Sequence, residues 1–372
     1  MRRWVSSTLG VMQVFLLLFL LAACTVPRPT LSPTVEPTPA ATLVPTVANT
    51  PAATLTPAST LTPIPPPAAR QLTTGGCCVQ PFWSPDGLQV WFIDRPSETQ
   101  PSGIWGVDAV NGGEPQFITD RLGIYSLDRT LVAYPESGQT YIERLGVERW
   151  VAPSEGRAVS FSPDGALIVW QAAAVSGSFD QRLVEVWVAN VDGSEARAVM
   201  QLVGGGFSGW FPDGERLLVT GRETDGEEQW FLGALAIADG TLTKIAQGPR
   251  LRGGTLSPDG AWVAYQILFS GDSARDGVWV ARTDGSESWR LEVFGAYRWR
   301  SADHLLLVPL ETNAEGQRFI EIEMRTGRVR PLTDPAFTPL HIAGGDWALS
   351  PDRNRVAFVS AEDHNLWAIN LP

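Results

Sequence analysis

The chain has 372 residues, of which 40 are acidic and 28 are basic, and its formal net charge is −12. This acidic balance argues against nucleic acid or an anionic lipid surface as the main partner, because both are bound through basic patches. Only one basic residue is a lysine, Lys244, so nearly all positive charge is on arginine, which suits forked recognition of carboxylates.

The N-terminus has the features of a secretion signal. Two arginines precede an apolar stretch at residues 11–21, which is too short to span a membrane as a helix. Small residues and Cys24 follow, an order that resembles the bacterial lipobox. The resemblance implies that residues 1–23 are a lipoprotein signal peptide and that Cys24 is lipid-modified, anchoring the protein to a membrane. A soluble secreted protein, cleaved nearby, is the alternative.

Residues 24–69 consist mostly of Pro, Thr and Ala and have no periodic apolar face. Such a composition cannot compensate the entropy of ordering, so we expect a disordered, extended linker. Together with the signal, it predicts an extracytoplasmic localisation, in the periplasm or at the cell surface. Residues 70–372 remain for a single large folded domain.

One turn recurs throughout residues 70–372. It reads Ser-Pro-Asp-Gly or a variant of it, and its aspartates are Asp86, Asp128, Asp164, Asp213, Asp259, Asp303 and Asp352. The proline presets φ and the glycine accepts a left-handed conformation, as this kind of turn requires. Neighbouring aspartates are about 44 residues apart, the length of a four-stranded propeller blade. The pattern predicts an all-β fold, a seven-bladed β-propeller of four-stranded antiparallel blades.

The two ends of this domain are predicted to share a blade. The chain ends directly after the strand around Trp367, so the last blade lacks its fourth strand, whereas residues 70–73 resemble one. We therefore expect an N-terminal strand to close the last blade and remove its exposed edge. Tryptophans in register with the repeat are expected to pack between blades, namely Trp83, Trp105, Trp187, Trp210, Trp279, Trp299, Trp347 and Trp367.

The repeats resemble the TolB-type, WD-like β-propeller family, whose hallmark is the Ser-Pro-Asp-Gly turn. The resemblance covers residues 71–372; it is good at five turns and weak at Asp128 and Asp303. It implies a rigid periplasmic or extracytoplasmic module that binds other proteins. TolB itself has a separate N-terminal α/β domain, and here a Pro/Thr-rich spacer stands in its place.

No catalytic constellation is evident in the sequence. The turn aspartates recur because the turn uses them, and His304, His341 and His364 lack the spacing of a metal motif. Residues 206–210 lack the final glycine of a nucleophile elbow, and the glycines at 204–206 precede no helix. We expect no enzymatic activity, no metal and no cofactor. The adjacent Cys77 and Cys78 are interpreted as packed cysteines, with a redox pair as the alternative.

A binding face is predicted where the blade-to-blade loops and the loops between second and third strands meet. The blade-to-blade loops carry Arg121, Arg157, Arg250 and Arg252. The outer loops carry the acidic residues Glu223, Asp225, Glu227, Glu228, Asp272 and Asp276. We predict an arginine-lined channel mouth inside an acidic rim, with His341 as a further candidate, that clamps a carboxylate or an extended peptide. Scattered surface charge is the alternative.

These features predict a monomeric, lipid-anchored binding scaffold that presents a propeller face to a protein or peptide ligand. Two alternatives stay open. One is a channel-based glycan lyase or hydrolase, in which His341 or His364 acts with carboxylates. The other is an extracellular ligand sensor.

Overall fold

A computed structural model describes residues 68–174, 177–311 and 316–372. These residues form strands and turns, with no helix among them and hence none able to cross a membrane. The predicted signal peptide, Cys24 and nearly all of the predicted linker lie outside the described residues, so these features stay predictions.

The described residues form six antiparallel sheets, five of which have four strands. Strand β1 is Ala69–Gln71, which belongs to the last sheet. The first sheet contains β2 (Val79–Trp83), β3 (Gln89–Asp94), β4 (Gly103–Asp108) and β5 (Gly112–Thr119). The second contains β6 (Ile124–Tyr125), β7 (Leu131–Glu136), β8 (Gln139–Arg144) and β9 (Glu148–Val151).

A seven-stranded sheet follows. It contains β10 (Val159–Phe161), β11 (Leu167–Ala173), β12 (Leu183–Asn190), β13 (Arg197–Trp210), β14 (Arg216–Arg222), β15 (Gln229–Ala236) and β16 (Leu242–Pro249). The next sheet contains β17 (Leu251–Leu256), β18 (Trp262–Ile267), β19 (Gly277–Arg282) and β20 (Ser288–Arg290). Another contains β21 (Gly295–Trp299), β22 (His304–Pro309), β23 (Ile320–Glu323) and β24 (Val329–Pro331). The last combines β1 with β25 (Ile342–Leu349), β26 (Arg355–Ser360) and β27 (Leu366–Asn370).

The prediction of seven separate four-stranded blades is wrong, because the described residues form five such blades and one seven-stranded sheet. The seven-stranded sheet occupies the place of the third and fourth predicted blades. Its middle strand β13 pairs with β12 through its first half and with β14 through its second half. At the junction, Gly204, Gly205 and Gly206 have φ angles of +68°, +64° and +137°, and the register with β14 shifts. Glycine adopts such angles without a side-chain clash, so the chain bends within one strand instead of forming a loop.

The N-terminal strand completes the C-terminal sheet, which confirms the prediction of closure. Strand β1 pairs antiparallel with β27, with Arg70 opposite Ala368. Just beyond β1, the buried Thr73 hydroxyl accepts a hydrogen bond from the Leu366 backbone N–H at 2.9 Å. The free edge of β27 is thereby paired, so it is not open to another strand.

The core lies between neighbouring sheets, where apolar side chains from facing surfaces form clusters. All eight tryptophans predicted to pack between blades belong to these clusters or lie against them, which confirms that prediction. Two of them also link sheets by hydrogen bonds. The Trp83 indole N–H donates to the Ala348 carbonyl of the last sheet at 3.0 Å, and the Trp299 indole N–H donates to the Thr255 carbonyl at 2.8 Å.

Cys77 and Cys78 are joined by a disulfide. Both side chains pack against the cluster between the first and last sheets, as the packing interpretation predicts. The Cys77 backbone N–H donates to the His364 carbonyl at 2.7 Å, so the segment between β1 and β2 is held to the last sheet.

Candidate functional site

The aspartates of the repeated turns are used inside the turns themselves. Asp164 accepts hydrogen bonds from the Ser162 hydroxyl at 2.6 Å and from the Ala166 N–H at 3.1 Å. These hydrogen bonds lower the pKa of Asp164 below its ordinary value, because they stabilise the carboxylate. The same serine-to-aspartate hydrogen bond occurs at Asp86, Asp128, Asp259, Asp303 and Asp352. The repeated aspartates therefore stabilise turns, as the sequence predicts, and form no common site.

Three of the four predicted mouth arginines have carboxylate partners, and for Arg121 and Arg157 these lie within their own loops or in the sheet that follows. Arg121, between β5 and β6, contacts Glu143 at 3.0 Å and Asp120 at 3.2 Å. The hydrogen bond to Glu143 is the main cause of the raised pKa of Arg121. Arg157, between β9 and β10, contacts Glu155 at 2.7 Å. The charges of both side chains are thus balanced within their own loops or sheets.

Arg250 and His341 lie in loops that precede the first strands of their sheets. Arg250, between β16 and β17, is exposed and has no ion-pair partner within the three described ranges. His341 precedes β25, and its Nε2 atom lies 3.2 Å from Glu362 Oε1. No contact joins Arg250 or His341 to another predicted mouth residue in the described part of the chain.

Arg252 lies at the centre of a group of charged and aromatic residues. Its guanidinium contacts the Asp180 carboxylate at 2.6 Å and lies over the Trp230 ring, 4.2 Å from the ring centroid. Arg222 also lies over Trp230, and it donates hydrogen bonds to the backbone carbonyls of Asp180 and Glu227. We call this group the arginine–aromatic cluster; its members are Phe179, Asp180, Arg182, Arg222, Trp230 and Arg252.

Three separate parts of the chain build the arginine–aromatic cluster. Asp180 and Arg182 come from the loop between β11 and β12. Arg222 is the last residue of β14, and Trp230 is near the start of β15. Arg252 is near the start of β17. Loops between second and third strands therefore meet a blade-to-blade segment here, as the propeller topology predicts.

The arginine–aromatic cluster has an excess of positive charge. Its three guanidinium groups, on Arg182, Arg222 and Arg252, are accompanied by one carboxylate, on Asp180. The nitrogens Arg182 Nε, Arg222 Nε and Arg252 Nη1 are buried and have no hydrogen-bond acceptor among the described residues. A buried donor without an acceptor costs about 1–3 kcal/mol. An anion bound beside the cluster would supply the missing negative charge.

Two neighbouring cavities extend from the arginine–aromatic cluster. A cavity of about 260 Å³ is lined by Trp230 and Arg252, and a cavity of about 330 Å³ is lined by Arg157. Gln171 and Phe207 line both cavities, and the Phe207 backbone N–H donates to Gln171 Oε1 at 3.0 Å. Arg157 and Arg252 thus line adjoining cavities. They are the two predicted mouth arginines that the structure brings near each other.

Four of the six residues of the predicted acidic rim are exposed and the other two, Glu227 and Asp276, are half-buried; part of the rim is engaged locally. Glu223 contacts Lys244, and Asp272 lies 3.7 Å from Arg275. Asp276 accepts a hydrogen bond from the Ser270 backbone N–H. Asp225 and Glu228 are exposed, and Glu227 is half-buried.

Sequence reasoning missed five members of the arginine–aromatic cluster: Phe179, Asp180, Arg182, Arg222 and Trp230. A signal for two of them was present, because Arg182 and Arg222 stand at the ends of the long loops that were assigned to this face. Their contact across three sheet segments depends on lateral packing of loops, which the spacing of the repeat does not encode.

The three histidines do not form a metal centre with neighbouring ligands. Within residues 68–174, 177–311 and 316–372, no group of three or more His, Cys, Asp or Glu side chains could hold a metal ion. His304 Nδ1 lies 2.8 Å from Asp303 in its own turn. His364 lies next to Asp363 in the turn before β27, on the same segment as Glu362, the partner of His341.

Comparison with known proteins shows the fold class. No family model and no curated protein matches the chain. Oligogalacturonate lyase of Vibrio parahaemolyticus is 13% identical, with a TM-score of 0.58 over 82% of this chain and 93% of that one. The β-propeller domain of the trilobed protease of Pyrococcus furiosus is 12% identical, with a TM-score of 0.51 over 80% and 94%. A TolB of Agrobacterium tumefaciens is 17% identical, with a TM-score of 0.40 over 80% and 92%.

These similarities confirm a β-propeller and assign no activity, because identities this low show the fold alone. The similarity to TolB is too weak to carry an argument, so the TolB-type repeat and the lipoprotein anchor stay predictions from the sequence.

The expectation that the chain is not an enzyme is overturned by the comparison. Oligogalacturonate lyase is an enzyme, and its structure matches most of both chains, so this fold leaves enzymatic activity open. That expectation was based on missing motifs, such as a nucleophile elbow, which belong to particular mechanisms and particular accompanying domains. A propeller hosts chemistry by other residues as well, since fold does not fix function.

Proposed function

We propose that this chain binds a carboxylate-bearing segment of a protein or peptide, with the arginine–aromatic cluster as the contact site. The observation that carries the proposal is the gathering of three guanidinium groups, those of Arg182, Arg222 and Arg252, at the Phe179–Asp180 segment, where only the Arg252 guanidinium contacts the cluster's single carboxylate, on Asp180. Arginine presents a planar fork of donors that fits carboxylates, and Trp230 holds two of the guanidinium groups in place.

The adjoining cavities favour an extended ligand over a single small anion. A peptide that places one carboxylate beside Arg252 can extend toward Arg157 past Gln171 and Phe207, which line both cavities. The aromatic rings of Trp230 and Phe207 provide apolar contact along this path. Charge-assisted hydrogen bonds contribute about 1.5–3 kcal/mol each, so one or two of them dominate the affinity of a short acidic peptide.

The cellular setting of this proposal follows from the sequence alone. The chain is then an extracytoplasmic TolB-type scaffold in which Cys24 carries the lipid and residues 24–69 hold the propeller away from the membrane. The partner is an acidic protein segment in the periplasm or at the cell surface.

Calorimetric titration of the full chain with a glutamate-rich peptide tests the binding proposal. We expect binding that weakens as salt is raised, because partly exposed charges are screened. Arg252→Gln should weaken binding by about tenfold or more, since it removes a charge-assisted contact. A peptide with glutamine at every glutamate position should not bind.

Arg250→Gln is the matched control, because Arg250 is an exposed arginine two positions away that contacts no member of the cluster. It should bind like the unchanged protein. Equal loss in both variants would assign the effect to general surface charge. Binding that is unaffected by Arg252→Gln would exclude the cluster as the site.

A second candidate function is turnover of an acidic glycan, the alternative in which a histidine acts with a carboxylate. The contact between His341 Nε2 and Glu362 Oε1 favours it, because a paired histidine and glutamate suit proton transfer. Incubating the full chain with oligogalacturonate, with and without a chelator, tests it through the ultraviolet absorbance of unsaturated products. Activity that is lost in His341→Ala would establish this function, and no product would remove it.

A further inference from the structure

A third cavity lies at the ends of the strands that lead into the repeated turns. It has a volume of about 610 Å³ and is lined by the ends of β2, β17, β21 and β25 and by the turns that follow β2, β17 and β25. Residues of the turn after β6 line it as well. These residues come from five different sheets, so the cavity is formed between the sheets and not by one blade.

Three arginines line this turn-end cavity, namely Arg129, Arg298 and Arg353. No carboxylate in the described ranges, 68–174, 177–311 and 316–372, pairs with any of them. Arg298 and Arg353 donate only to backbone carbonyls, those of Tyr297 at 2.9 Å and Trp299 at 2.7 Å.

Arg300, close by in sequence, shows the contrast. Its guanidinium contacts Glu321 at 2.9 Å, and Glu321 is nearly buried and also contacts Arg330 at 2.7 Å. The chain therefore supplies a carboxylate where an arginine serves the packing of this sheet. It supplies none for the three arginines that line the cavity.

Aromatic rings hold two of the three guanidinium groups in position. Arg129 lies over the rings of Phe82 and Tyr125, 5.4 Å from each centroid. Arg298 lies over the Trp347 ring at 4.9 Å. These contacts fix the positive charges without neutralising them, so little further ordering is needed when an anion binds.

The protein atoms around Arg129 and Arg298 favour the binding of an anion to their guanidinium groups. Burial lowers the pKa of Arg129 and of Arg298, because protein atoms replace part of their hydration. Arg298 is nevertheless exposed to solvent, which is consistent with a side chain that lines an open cavity. Burial raises the pKa of Tyr297 to about 12, so its hydroxyl keeps its proton.

We propose that the turn-end cavity binds a small polycarboxylate anion, with Arg129, Arg298 and Arg353 as its ligands. A volume of 610 Å³ is within the range of small-molecule sites, and three guanidinium groups suit a ligand with two or three carboxylates. Phosphate sites commonly use backbone N–H groups at a helix N-terminus, and the described residues form no helix. The proposal is independent of the arginine–aromatic cluster, which shares no residue with this cavity.

Calorimetry of the full chain with tricarballylate, a tricarboxylate, tests the proposal. We expect saturable one-to-one binding at low salt, with weaker binding of the dicarboxylate succinate and of inorganic phosphate. Arg298→Gln should weaken the binding of tricarballylate by about tenfold, and Arg298→Lys should weaken it less, because it keeps the charge and loses the fork.

Arg325→Gln is the matched control, because Arg325 is exposed and lies outside this cavity. It should bind tricarballylate like the unchanged protein. Arg252→Gln should also bind tricarballylate normally, which would distinguish the turn-end cavity from the arginine–aromatic cluster. Unchanged thermal unfolding of Arg298→Gln establishes that the variant is folded. Absence of binding, equal binding by Arg298→Gln, or tighter binding of phosphate than of tricarballylate would overturn the proposal.

Discussion

Replacing Ser162 with alanine should destabilise the propeller, because the buried Ser162 hydroxyl joins both sides of its turn. The hydroxyl donates to Asp164 at 2.6 Å and accepts from the Leu167 backbone N–H at 2.9 Å. In Ser162→Ala, the Leu167 N–H loses its acceptor at a position where Ser162 is only 1% exposed, so water does not replace it. We expect a loss of about 1–3 kcal/mol in the free energy of unfolding, with little added by the surface contact to Asp164.

Thermal unfolding followed by tryptophan fluorescence measures this effect. For a large domain, 1 kcal/mol corresponds to roughly 2 °C in Tm, so Ser162→Ala should melt about 2–6 °C lower. Ser286→Ala is the matched control: the Ser286 hydroxyl also donates to an aspartate, Asp284, at 2.6 Å, but it is exposed. The control should melt like the unchanged protein. Equal melting temperatures of the two variants, or a lower melting temperature of Ser286→Ala alone, would contradict the stabilising role of the buried Ser162 hydroxyl.

The same turn gives the protein a dependence on pH. The Ser162 hydroxyl and the Ala166 N–H lower the pKa of Asp164 below its ordinary value of 3.8. The folded-state pKa is thus below the unfolded-state value, so the stabilisation is complete above that value and is lost as pH falls through the folded-state pKa. Stability should be steady near neutral pH and fall below about pH 4, and the fall should be smaller in Ser162→Ala. A fall of equal size in both proteins would contradict this assignment.

Two further substitutions test the packing. Gly205→Ala should destabilise strongly, because its Cβ would lie 2.0 Å from the Thr220 carbonyl oxygen at a φ of +64°; unchanged thermal unfolding would contradict the bend in β13. Glu321→Ala should lower the free energy of unfolding by about 3–5 kcal/mol, because it leaves the buried Arg300 and the half-exposed Arg330 without their shared carboxylate. Denaturant unfolding measures this loss. A loss of well under 1 kcal/mol would contradict a buried network.

The turns and the closure of the propeller could be predicted from the sequence because both are local. Six of the seven turns place serine and aspartate two positions apart, with Phe211 in place of serine at Asp213, and even the weak copies at Asp128 and Asp303 form the same hydrogen bond. The pairing of β1 with β27 followed from counting strands, since one end lacked the strand that the other had in excess.

The number of separate sheets could not be predicted in this way. Whether two neighbouring repeats are divided by a loop depends on the backbone path at Gly204 to Gly206, where left-handed angles keep β13 continuous. The repeat pattern predicts the strands on either side of this point but does not predict how they are connected. The glycines were noticed in the sequence only as a rejected phosphate loop.

The candidate site was predicted in part, because its residues belong to loops from different sheets. Arg252 and Arg157 were found from the order of loops on one face, but Arg121 is paired to Glu143 and Arg250 lies apart. Lateral contacts such as the one between Arg252 and Asp180, 72 positions apart, follow from packing and leave no pattern in the sequence.

A crystal structure of the chain with a bound glutamate-rich peptide would test the central claim most directly. We predict a peptide carboxylate within about 3.2 Å of a guanidinium nitrogen of Arg252 or Arg182, with the peptide directed toward Arg157. A peptide bound elsewhere, or a cluster in which Asp180 and other internal groups satisfy every guanidinium donor, would contradict the proposed binding site.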